Sequence, residues 1–423
     1  MGGDRLGRAR RAALLGAGGL LLAACAQTGT GTVSAVRPVG NPSPAATSSS
    51  PVTATPVPSV TPSAGITATP ASPAPSASPT PSASIGKGEG ALQVLTFQGH
   101  VEFGGAGSRI NWVTPFERES GCVVRVDRVR TAEEMAARFA AGTYDVVSPS
   151  PELAGLLVAE EKVTPLDTSL VTAYRDIPKR LRELPGLRED GRVYGVPYLW
   201  GVNRVIYEGE GTRKSPALYE RAPAAIRDSP LSIADAALAL GRGGDPEIDD
   251  PFQLTPAQLD AAVALLARGD GPDRLYWDDS LDLVRAMSSG SVRIAQALPY
   301  HLDLFRRAGR EIRAAEAGPV TGWVDSWMIS ARSASPNCAY RWLDWTSSER
   351  AQRSAAAWTG LAPANPEACG GRAGRICDVY RVRDGRGLRD VLFASRPTPD
   401  CGGRGGTCAD YAEWTERWKD LVR

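Results

Sequence analysis

A chain of 423 residues carrying 48 basic against 47 acidic side chains has room for two or three folding units, and it lacks the basic excess that nucleic-acid binding needs. With only two histidines, His100 and His301, it offers poor material for a multi-histidine metal centre, and no cofactor or metal is expected.

The first 24 residues read as an export signal. Arg5, Arg8, Arg10 and Arg11 precede an apolar run from Ala12 to Ala24, too short to span a bilayer. The run ends in Leu22-Ala23-Ala24-Cys25, which resembles a bacterial lipobox, so Cys25 is expected to become a lipidated N-terminus anchored in the membrane. Adjacent Arg10 and Arg11 leave the Sec and twin-arginine routes both open. Removing the signal leaves 44 basic and 46 acidic residues, a nearly neutral exported protein. Residues 25–90 hold twelve of the 33 prolines, and between Thr28 and Ile85 the single charge is Arg37. Such a stretch cannot bury a core; its Thr-Pro, Ser-Pro and Ala-Pro steps predict an extended tether of ~3 Å per residue or an O-glycosylated stalk.

From Ala91 onward strand-like runs alternate with helical periodicity, the pattern of an α/β protein. Ala91 to Phe97 predicts a buried first strand, then a Gly-rich loop and a helix closed by Gly121. Cys122 to Val129 predicts a second strand. Thr131-Ala-Glu-Glu134 is a capping box opening a helix that Gly142 stops, and Tyr144 to Val147 predicts a third strand. A second capping box, Thr255-Pro-Ala-Gln258, starts a helix reaching about Leu266; a later helix ends at Gly290 before a strand from Val292 to Leu298. The last helix spaces Tyr411, Trp414, Trp418 and Leu421 as a packing face.

Five segments in order, Leu95-Thr-Phe-Gln-Gly-His100, Tyr144-Asp-Val-Val-Ser-Pro-Ser150, Tyr194-Gly-Val-Pro-Tyr-Leu-Trp-Gly201, Gly322-Trp-Val-Asp-Ser-Trp-Met328 and Leu361-Ala-Pro-Ala-Asn365, resemble the periplasmic solute-binding proteins of ABC importers, in the spermidine/putrescine branch. The resemblance implies a type II two-lobed fold: residues 91–201 as lobe 1, 202–321 as lobe 2, 322–365 returning to lobe 1, and 366–423 as a C-terminal segment. It implies crossings near Tyr194 to Tyr207 and Gly318 to Trp327, a hinged cleft between the lobes, a monomer, and an ABC permease as partner. In the resemblance Trp323 and Asp325 match a cleft Trp and an amine-pairing Asp; a strand would put both on one face. Asp228 falls at a second cleft Asp, and equally suits a helix N-cap. Ser150 and Glu152 follow a strand's carboxyl end, where open α/β sheets bind ligands.

A polyamine needs carboxylates for its ammonium ends and aromatic faces for its methylenes. Here Phe97 and His100 stand where the family commonly has Trp and Tyr, while Leu298 and Leu361 replace a frequent Trp and Tyr. Tyr300 and His301 offer a ring from an adjacent position. Spermidine, putrescine, a betaine or another small solute all stay open. Six cysteines besides Cys25, namely Cys122, Cys338, Cys369, Cys377, Cys401 and Cys408, imply disulfides in an exported chain; proximity favours Cys369 with Cys377 and Cys401 with Cys408, leaving Cys122 with Cys338. Catalytic motifs such as GxSxG, HExxH and a P-loop do not occur, so an exported hydrolase and a non-binding scaffold are the lesser readings.

Overall fold

The computed structural model describes residues 84–105, 107, 110–210, 214, 216–220, 223–242, 248–315 and 318–422. Everything described belongs to one compact unit that ends at Arg423. The signal, Cys25 and the tether as far as residue 83 lie outside the described residues. Residues 86–90, assigned above to the tether, lie against the following domain. Oε1 of Glu89 accepts from the Asn337 amide at 3.0 Å and Oε2 from the Cys338 amide at 2.9 Å, capping the helix Pro336–Ser347 whose first amides have no partner of their own.

Among the described residues the strands are β1 Ala91–Phe97, β2 Val123–Val129, β3 Val146–Val147, β4 Arg188–Glu189, β5 Arg192–Val193, β6 Gly195–Val202, β7 Arg204–Glu208, β8 Ala224–Arg227, β9 Leu275–Trp277, β10 Ile294–Ala297, β11 Ile312–Ala314, β12 Val320–Ile329, β13 Ala362–Pro363 and β14 Val391–Phe393. Lobe 1 is built on a seven-stranded sheet in the order β13-β6-β12-β3-β1-β2, with β14 also on β12; lobe 2 holds a five-stranded sheet, β11-β7-β10-β8-β9. In lobe 1 the strands β1, β2 and β3 run parallel, as β-α-β crossovers dictate. β12 lies antiparallel to β3 and β6.

Apolar continuity explains which strands sit centrally. All eight residues of β6 and all ten of β12 are buried, because helices cover both faces of the sheet and near-unbroken apolar runs are what that position demands. Both capping threonines act as their spacing predicts: Thr131 Oγ1 accepts from the Glu134 amide, and Thr255 with Gln258 forms a reciprocal pair. Glu134 differs in reaching the Arg130 amide rather than that of Thr131.

The chain passes between sheets where β6 runs on into β7 at Asn203, and returns where β11 leads to β12. The crossings are bonded together: the Asn203 amide donates to Thr321 O, and its side-chain amide donates to Asp235 Oδ2 and Thr321 Oγ1, each at 2.9 Å. A third crossing lies in the C-terminal segment. Beyond β14, Gln253 of lobe 2 bonds Arg396 O and the Thr398 amide, and the Ala409 amide donates to Leu254 O. The helix Tyr411–Val422 follows, with Trp414 and Trp418 buried.

Among the described residues the disulfides are Cys122–Cys338, Cys369–Cys377 and Cys401–Cys408. The first joins partners 216 residues apart; the backbone at Gly88 crosses it so closely that a Cβ there would lie 2.7 Å from Cys122 Sγ.

Candidate functional site

A cleft of about 510 Å³ opens between the two sheets, a size suited to a small solute. Carboxyl ends of strands surround it: β1 delivers Phe97 and His100, β3 leads to Ser150 and Glu152, β8 ends at Arg227 and Asp228, and β12 crosses its floor with Trp323 and Asp325. Seven of the eight ligand-binding residues expected from sequence therefore line one space. The eighth, Tyr300, does not. The helix Pro299–Arg307 lays its ring 4.1 Å from that of His301 and against Gly360, where a Cβ would lie 2.7 Å from the Tyr300 ring; close packing between helix and turn takes the ring out of the cleft lining.

The floor is shaped by a register shift of β12 against β6 between Asp325 and Ser326. Such irregularities re-aim side chains beside functional sites. The Trp323 ring packs against Gly201, its register partner; a Cβ at Gly201 would collide with the indole, so this glycine makes room for the ring.

Asp325 is 4% exposed. Burial pushes its pKa up to about 7, with Arg227 opposing and Glu152 reinforcing the shift. His100 approaches it, Nε2 to Oδ2 at 3.6 Å, beyond hydrogen-bond range. Because burial holds the His100 pKa down to about 4, this imidazole is neutral at pH 7 and the contact is not an ion pair. Tyr198 anchors the His100 loop by donating to His100 O at 3.0 Å. Glu152, also 4% exposed, accepts from Ser150 Oγ at 2.6 Å through Oε1, while Oε2 has no partner among the described residues. Burial raises its pKa, the Ser150 bond opposing. Two desolvated carboxylates with spare acceptor capacity are poised for an ammonium, which would stabilise their charged forms.

Several lining residues escaped the sequence reading. Arg227 places its guanidinium carbon 4.1 Å from the Trp323 ring centroid, a cation over the face of an indole. Trp358, Tyr411, Trp418 and Lys419 also line the cleft, so aromatic surface lost at Leu298 and Leu361 is partly replaced from the C-terminal helix. The face read as packing serves both purposes: Trp418 is buried, and its Nε1 donates to Asp228 Oδ1 at 2.8 Å. Asp228 is thus engaged by that helix and caps none, since the following helix starts at Ser232. Arg130 of lobe 1 and Asp278 of lobe 2 meet at 3.3 Å across the mouth, an exposed pair contributing at most ~1 kcal/mol to closure.

The Asp325 shift sets a pH dependence. An ammonium pairs with ionised carboxylate, so below about pH 7 a proton must leave before the pair forms. Amine affinity should drop by up to about tenfold per pH unit between 7 and 5, and calorimetry at pH 6 in buffers of unlike ionisation enthalpy should register proton release. A flat profile from pH 5 to 8 would contradict the assignment of Asp325.

Two lobes on separate sheets, linked by crossing strands and enclosing a cleft of buried carboxylates and aromatic faces, define a type II solute-binding protein. Residues 111–369 match the family described as bacterial extracellular solute-binding protein, and the chain belongs to that family. It is 26% identical to the putrescine/cadaverine-binding protein of Pseudomonas aeruginosa, over 54% of this chain and 69% of that one. Among solved structures it resembles the spermidine/putrescine ABC transporter substrate-binding protein PotD of Streptococcus pneumoniae, with TM-score 0.59, 15% identity and coverage of 79% and 99%. The Tp0655 lipoprotein of Treponema pallidum gives TM-score 0.59 and 15% identity, covering 79% of this chain and all of the other. The family match ends at residue 369, before the third crossing and the C-terminal helix.

Proposed function

We propose that this protein is a lipid-anchored receptor that captures a small amine outside the cytoplasm and delivers it to an ABC permease, without catalytic turnover of its own. The observation that carries this reading is the pair of buried carboxylates, Asp325 and Glu152, facing one cleft beside Trp323. The putrescine/cadaverine-binding relative supports an amine as guest, and polyamines are the first compounds to try. Among the described residues no helix is long and apolar enough to cross a membrane, and Cys25 in Leu22-Ala-Ala-Cys25 supplies an anchor at the end of a proline-rich tether. The receptor acts as a monomer, one cleft per chain.

A thermal-shift screen of amines tests the reading: at a hundred times Kd a ligand raises stability by about 2.7 kcal/mol. A protein indifferent to every amine would overturn it. Attachment has a separate test. Cys25→Ser should move the protein from the membrane fraction into the soluble one, whereas retention as tight as that of the parent would remove the lipid anchor from the account.

A further inference from the structure

Arg227 ends β8 at the carboxyl edge of the lobe 2 sheet and reaches across the cleft to Trp323 of β12. Its backbone is fully engaged: the amide donates to Gln296 Oε1 at 2.9 Å and the carbonyl accepts from Ser232 Oγ at 2.8 Å. Gln296 in turn donates to Asp235 Oδ2 at 2.8 Å, and Asp235 bonds both crossing strands through Asn203 and Thr321, so Arg227 is mounted on the hinge framework. Arg227 is half-buried and lines the cleft. Among the described residues no carboxylate comes within 4 Å of it and no acceptor bonds it. The charges of Asp325 and Glu152 act on this guanidinium without contacting it, and a held guanidinium with no bonded acceptor is matched to a carboxylate, which it grips through two parallel N–H···O bonds.

Resting on the amine reading of Asp325 and Glu152, we propose that the guest is zwitterionic: an amine whose far end carries a carboxylate, held by Arg227 on the face of Trp323. The guanidinium already covers the aromatic face that a second ammonium would need. A diamine entering this cleft leaves like charges facing each other where little water screens them, and that repulsion discriminates against it. An ω-amino acid pairs both ends.

The test is calorimetric titration of three five-carbon compounds into the full chain: 5-aminopentanoate, cadaverine and glutarate. The parent should bind 5-aminopentanoate at least about tenfold more tightly than cadaverine. Arg227→Met, which keeps an unbranched apolar stem against Trp323, should weaken 5-aminopentanoate about thirty-fold or more, the usual scale for truncating a desolvated charge pair, and should not weaken cadaverine. Arg227→Lys keeps the charge without the fork and should retain the parent's order of preference; circular dichroism checks that both variants fold. Preference for cadaverine in the parent, unchanged by Arg227→Met, would overturn the carboxylate subsite and leave the amine reading standing. Tightest binding of glutarate, or indifference to all three compounds, would overturn both.

Discussion

Asp325→Asn should weaken amine binding by about thirty-fold or more while making the empty protein more stable above neutral pH, two effects of opposite sign from one atom. The binding loss follows because Asn keeps the shape and loses the charge, and breaking a desolvated, hydrogen-bonded charge pair typically costs ~2–5 kcal/mol. The gain follows from linkage. Burial raises the folded pKa of Asp325 from 3.8 to about 7, so the carboxylate ionises more readily in the unfolded chain. The resulting penalty is absent below pH 4, grows between pH 4 and 7 and is complete above it. With each pKa unit worth about 1.4 kcal/mol, the amide should recover on the order of 2–4 kcal/mol at pH 8, read as a higher denaturant midpoint. Trp323→Ala should instead lose both, because its indole is 8% exposed and sits over Gly201. An Asp325→Asn protein that binds amines as the parent does would remove Asp325 from the site.

The double variant Cys122→Ala with Cys338→Ala should lose about 3–5 kcal/mol of stability, because the bridge closes a chain loop of 216 residues and loop-closure entropy grows with loop length. That loop contains all of lobe 2, so its removal frees the unfolded chain more than the loss of either short bridge would. Cys369–Cys377 and Cys401–Cys408 close loops of only 8 and 7 residues and should contribute about 2–3 kcal/mol or less each. Denaturant unfolding of the three double variants gives the ranking directly. Equal losses for the long and short bridges would contradict the entropic account.

Most of the fold was legible because the signals are local or periodic. Threonine caps at 131 and 255 and the left-handed glycines at 121 and 290 mark helix ends in a few residues. The crossing implied near Tyr194 to Tyr207 by the family resemblance is the buried strand Gly195–Val202 running on into Arg204–Glu208. Trp323 and Asp325, two apart in a strand, reach the cleft together as the period of two requires. What stayed hidden depends on tertiary choice. A period of 3.6 shows that Tyr411, Trp414 and Trp418 share a face, and it cannot show that this face lies partly on the core and partly on the ligand cleft. Nothing local in the sequence distinguishes Arg227 from its neighbour Asp228 as a cleft residue; only its place at the end of a strand of an open α/β sheet, where such sheets bind ligands, does so. Tyr300 was placed in the cleft by nearness to Leu298, and helix geometry turned it onto Gly360.

The central claim is that a small nitrogen-bearing solute sits against Asp325 between the lobes. Native mass spectrometry of the full chain, purified without unfolding and then incubated with amines, tests it most directly. The account predicts a single small-molecule adduct per chain that contains nitrogen, survives in the parent and is lost in Asp325→Asn. An adduct retained equally by that variant, or a parent that stays empty against every amine offered, would contradict it.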